Sequence, residues 1–186
     1  HDEERLKYKN ITYGNASGGY NIKELPTALK RNEMAGVFYF AIPGPKMIWQ
    51  FGELGYDVSI NYIGRVEPKP VRWEYYDNGD RQHLYLVWAK MLDLRKKYPV
   101  FSTNDFTLSV GNNVATKKIV LRHEEGDALV IGNFGMAETT MQPGYTQTGW
   151  WYEVFSGDSV FVTDLSATVT LSAGEYKIYT NKKRVL

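Results

Sequence analysis

The 186-residue chain contains no cysteine. That excludes a disulfide framework, thiolate zinc sites and a cysteine nucleophile, and it leaves the compartment undecided. There is no run of eighteen apolar residues, so no helical membrane span is expected. Net charge is nearly absent too, with 22 basic residues against 21 acidic ones. Such a balance gives no electrostatic footprint for nucleic acid, and no basic amphipathic helix suggests a membrane surface. Only three histidines occur. His83 and His123 have no second histidine or carboxylate at ligand spacing, so no metal site is expected.

Aromatics, by contrast, are plentiful, at 15% of the chain including 14 tyrosines and five tryptophans. Two segments carry helical periodicity. In Leu25 to Ile42 the apolar positions Leu25, Ala28, Leu29, Met34, Ala35, Phe38, Tyr39 and Ile42 recur at three and four residues. Pro26 suits a first turn, where its missing N–H would be unpaired anyway, and Pro43-Gly44-Pro45 ends the pattern. In Gly79 to Lys97 the residues Leu84, Val87, Trp88, Met91 and Leu92 keep the same spacing; Arg95-Lys96-Lys97 favours the negative end of the dipole and Pro99 is the stop. Between them, Lys46 to Gln50 reads as a short apolar strand with Trp49 in the core, opening into the acidic loop Gly52-Glu53-Leu54-Gly55. Residues 9–24 and 56–78 are turn-rich and read as long loops.

After Val100 the period changes. Eight short β-branched or alternating runs are expected at 106–110, 117–123, 128–133, 138–142, 149–155, 160–162, 168–171 and 175–180. Separators such as Gly111-Asn112-Asn113, Pro143-Gly144 and Ser156-Gly157-Asp158 read as turns. An antiparallel sandwich follows, with a division of the chain at 1–99 and 100–186. Trp150, Trp151 and Tyr152 form the densest aromatic cluster. Because neighbours on a strand face opposite ways, one of them must leave the core, either as a sugar platform or, the favoured reading, against Trp88 or Phe101 at an interdomain contact.

The ordered set His1-Asp2, then PGPKMIWQFGELGYD, then Arg72-Trp73, Arg81 and Leu94-Arg95 resembles the C-terminal third of an alpha-amylase-type enzyme of glycoside hydrolase family 13. The resemblance implies an α+β fragment: the last βα units of a TIM barrel, with two main helices and one short strand, followed by an antiparallel β-sandwich of about eight strands. Many members of that family carry Gly-Asp-Glu or Gly-Gln-Glu where this chain has Phe51-Gly52-Glu53. The implied activity is retaining cleavage of alpha-glucosidic bonds, with branching or transglycosylation in the same family, or a non-catalytic carbohydrate-binding sandwich, as alternatives. Within it Asp2 would be the transition-state stabiliser, with His1, Phe51, Glu53 and Tyr56 at the substrate. Asn133-Phe134 and Gly174-Glu175-Tyr176 would close the sandwich. The nucleophile and the acid would lie upstream, so this chain alone is expected to be inactive and to partner the rest of its barrel, with self-association through exposed barrel surface as another outcome. Its ligand would be an alpha-glucan or maltooligosaccharide. No cofactor is implied; calcium in the intact parent is allowed, with no ligands for it here. A secreted or periplasmic setting is implied by the resemblance alone, any export signal lying before His1.

Overall fold

The computed structural model describes residues 2–185. Helix α1 (Leu6–Tyr13) and a two-residue hairpin, β1 (Ala16–Ser17) with β2 (Tyr20–Asn21), precede α2 (Leu25–Ala41) and α3 (Gly79–Lys97). Eight strands follow: β3 (Phe106–Ser109), β4 (Thr116–Leu121), β5 (Ala128–Asn133), β6 (Thr139–Met141), β7 (Gly149–Glu153), β8 (Ser159–Val162), β9 (Val169–Leu171) and β10 (Tyr176–Thr180). Six of them form one antiparallel sheet in the order β3-β4-β5-β10-β7-β8, and β6 pairs with β9 in a ribbon.

The two layers of core follow from strand alternation. Ile119, Leu121, Ala128, Val130 and Ile178 point from one face of the sheet into α2 and α3, meeting Met34, Phe38, Met91 and Leu94. Val120, Leu129, Ile131, Trp151 and Tyr179 point the other way, onto Met141 and Leu171 of the ribbon. The helix layer sits very close to the sheet at β5. A Cβ on Gly132 would stand 2.8 Å from Phe38 Cε2 and 3.2 Å from Met34 Sδ, so only glycine admits this approach.

Polar side chains close the joints. Asn78 caps α3 by accepting from Arg81 N at 3.1 Å. Arg95, near the other end of α3, donates to the carbonyls of Phe40 (2.6 Å) and Ile42 (2.9 Å), satisfying groups that the end of α2 leaves without helical partners, and to Phe101 O (3.0 Å) in the turn after α3. In the sandwich, fully buried Asn133 donates through Nδ2 to Ala137 O (2.8 Å), Leu171 O (3.0 Å) and Ser172 O (3.1 Å). It ties β5 to the end of β9, the closing role expected of that segment.

Three expectations need correction. Lys46 to Gln50 forms no strand, because no neighbouring strand among the described residues offers it a ladder. Trp49 is accordingly 44% exposed instead of core. Residues 9–13, the start of a stretch expected as loop, belong to helix α1.

Candidate functional site

The acidic loop is built around two left-handed residues. Phe51 takes φ 56° and Gly55 φ 67°, and the chain between them makes one 3-10 turn, Gly52–Leu54. At Gly55 a Cβ would meet Leu29 Cδ2 at 2.4 Å, so glycine serves both the turn and its close seat on α2. The turn puts Phe51, Leu54 and Tyr56 inward as a small apolar cluster. Tyr56 is 1% exposed and donates its hydroxyl to Pro70 O at 2.6 Å. In this chain its ring braces the loop rather than facing solvent.

Arg81 holds the loop from α3. Its Nη1 donates to Leu54 O (2.8 Å) and Gly55 O (2.7 Å), and Nη2 donates to Asp57 Oδ2 at 2.7 Å. Tyr75 donates to the other oxygen of Asp57 and lies flat under the guanidinium, 3.7 Å from its ring centroid. Burial, reinforced by the bond to Asp57, pushes the Tyr75 phenol well above its usual range. Lys7 of α1 is buried nearby at 1% exposure, and desolvation lowers its ammonium to about 8 against the opposing pull of Asp57.

A second set of contacts clasps the N-terminal segment to the loop that follows. Glu4 accepts from Ser59 Oγ at 2.7 Å and from Ile60 N at 2.9 Å, while Arg65 Nη2 donates to Asp2 O at 2.6 Å. Arg5 lies 5.3 Å from the ring centre of Trp49 and 5.5 Å from that of Tyr56, and burial lowers its pKa. Lys69 folds the loop on itself by donating to Tyr62 O (3.3 Å), Gly64 O (2.6 Å) and Glu67 O (2.8 Å). Asp2, Arg5, Trp49, Ile60, Arg65 and Lys69 line a cleft of about 420 Å³.

Asp2 therefore reaches this cleft, whereas Glu53 and Phe51 line an adjoining hollow with Val71 and Trp73; Gln50 borders both. His1 lies outside the described residues. Trp151 is buried in the sandwich core, its Nε1 donating to Gln147 O at 3.1 Å, and Trp150 is 52% exposed. Docking of this cluster on Trp88 or Phe101 is not what the structure has: Trp88 packs on Phe40, and Phe101 belongs to the helix-side core. The alternation argument for one outward aromatic holds. Arg5, Arg65 and Lys69 were not singled out by sequence, since a cation's value here comes from carbonyls and rings remote in the chain. Among the described residues no group of three or more His, Asp or Glu is placed to hold a metal.

No protein-family model matches the chain, and no curated protein matches it in sequence. Solved structures do match in fold. A maltotriose complex of the protein AmyP aligns with a TM-score of 0.73 at 15% identity, over 97% of this chain and 39% of that one. The acarbose complex of alpha-amylase from Geobacillus thermoleovorans aligns with 0.66 at 15% identity, over 100% and 38%. Trehalose-6-phosphate hydrolase from Bacillus licheniformis aligns with 0.67 at 17% identity, over 97% and 41%. The chain thus spans about two fifths of the length of these relatives. This chain has the fold of the C-terminal portion of alpha-amylase-type glycoside hydrolases of family 13.

Proposed function

We propose that the chain is the C-terminal part of an alpha-glucan-active, retaining glycoside hydrolase, residues 1–99 completing a (β/α)8 barrel and 100–186 forming the sandwich that follows it. The observation that carries the reading is the alignment of 97% of this chain onto 39% of a protein crystallised with maltotriose. It is supported by the placement of Asp2 in a cleft walled by Trp49 and two arginines. Retaining cleavage needs a nucleophile and an acid/base carboxyl about 5–5.5 Å apart, and Asp2 would be neither. Its part would be to stabilise charge on the sugar in the transition state, beside His1, while Glu53 and Phe51 border the same substrate.

The half-exposed Met47–Trp49 segment then has a natural partner in the neighbouring strands of the barrel. Joining the chain to the segment encoded before His1 and assaying maltooligosaccharide hydrolysis tests this. Asp2→Asn in that protein should lower kcat by about a hundredfold or more with a smaller change in KM. Unchanged kcat would remove Asp2 from the chemistry.

A further inference from the structure

The register of β7 and β8 places Trp150 opposite Phe161 and Tyr152 opposite Ser159. Trp151, Val162 and Gly149 take the ribbon-side parity, so Trp150, Tyr152, Phe161 and Ser159 share the other face, the one that α2 and α3 cover. That cover reaches Val154 of the helix-side core and stops. Past its end, Trp150 is 52% and Phe161 55% exposed, their rings edge-to-face at 5.2 Å.

Two further features define what fits there. No charged side chain occurs from Thr139 through Tyr152 or from Ser159 through Thr163. Gln147, Thr148, Ser159 and Thr163 are exposed and supply amide and hydroxyl groups. The bare area of the two rings is on the order of 200 Å². A lasting contact between two copies of a protein takes about 800 Å² from each. The patch is therefore the size of a small ligand segment, and its neutrality disfavours an ionic one. A sugar chain has that chemistry: apolar C–H faces to lie on an aromatic ring and hydroxyls for neutral polar neighbours.

We propose that Trp150 and Phe161 form a second alpha-glucan-binding surface on the sandwich, separate from the cleft at Asp2 and flanked by Tyr152. The choice of an alpha-glucan rests on the proposed function; the surface itself does not. The test is retardation of the 186-residue chain in native gels containing amylopectin, with galactomannan and hydroxyethyl cellulose as comparison polymers, alongside light scattering for mass. The expected result is retardation in amylopectin that Trp150→Ala and Phe161→Ala each weaken by about tenfold or more, while Asp2→Asn keeps it. Near-unchanged circular dichroism in both aromatic variants keeps the loss attributable to the surface. Absence of retardation in every polymer overturns the proposal, as does retardation abolished by Asp2→Asn alone, or a dimer that Trp150→Ala converts to monomer. Retardation in another neutral polymer but not amylopectin would keep the sugar surface, reject the alpha-glucan assignment and count against the proposed function.

Discussion

Gly36 lies inside α2, where replacing glycine by alanine normally stabilises a helix by about 1 kcal/mol. Here the surroundings reverse the sign. A Cβ at position 36 would stand 2.0 Å from Trp88 Nε1, 2.5 Å from Cε2 and 2.8 Å from Cδ1, all atoms of a rigid ring. That ring has little room to retreat: it packs edge-to-face on Phe40 at 5.3 Å, and its Nε1 donates to Asn32 O at 3.3 Å. Overpacking of this kind costs about 1–3 kcal/mol, and displacing the indole from Asn32 adds about 1 kcal/mol. Set against the propensity gain, Gly36→Ala should destabilise by about 1–3 kcal/mol, lowering Tm by about 2–4 °C per kcal/mol for a chain of this size. Urea and thermal unfolding of Gly36→Ala, Trp88→Leu and the double variant give the coupling. In the Trp88→Leu background the Gly36→Ala change should become neutral or stabilising. A Gly36→Ala single variant melting at or above the parent would refute the claim that Trp88 fixes the approach of α2 and α3.

Four other outcomes follow from individual side chains. Because burial holds the Lys7 ammonium at about 8, the unfolded chain binds one proton more than the folded one from about pH 8 up to its unperturbed value near 10.4, so stability should rise with pH across that window. Lys7→Met should raise stability at pH 7 and flatten that rise in denaturation curves; an unchanged profile contradicts it. Above about pH 10 the buried phenols of Tyr75, Tyr176 and Tyr179, all raised by desolvation, make unfolding release protons, and stability should fall again. Arg81→Met strands the Leu54 and Gly55 carbonyls and half-buried Asp57, and should cost about 3–5 kcal/mol in urea unfolding. Asn133→Asp turns a donor to three carbonyls into an acceptor facing them, and should destabilise more than Asn133→Ala, itself worth about 2–3 kcal/mol.

The elements legible in the sequence are those whose signal is local. The 3–4 spacing of α2 and α3, the basic end of α3, and the turn residues between the sandwich strands each act within a few residues, and the structure places those elements where they point. Helix α1 escaped because LKYKNITY has no apolar stripe; its buried face is carried by Lys7, an outlier no periodicity flags. Lys46 to Gln50 has the composition of a strand, but a strand also needs a neighbour, which lies beyond what a local pattern can register. The same limit applies at the candidate site. Asp2 and Glu53 could be named from motifs, while the clasp of Glu4 and Arg65 and the carbonyl cage of Lys69 join residues whose pairing appears only on folding.

Under the proposed function this chain would furnish one side of a sugar-cleaving cleft whose nucleophile and proton donor belong to another part of the barrel. Initial-rate assays of the purified 186-residue protein on maltoheptaose test it directly. The account predicts no release of reducing sugar above the buffer control; sustained turnover by the chain alone, abolished by substituting one of its own carboxylates, would contradict it.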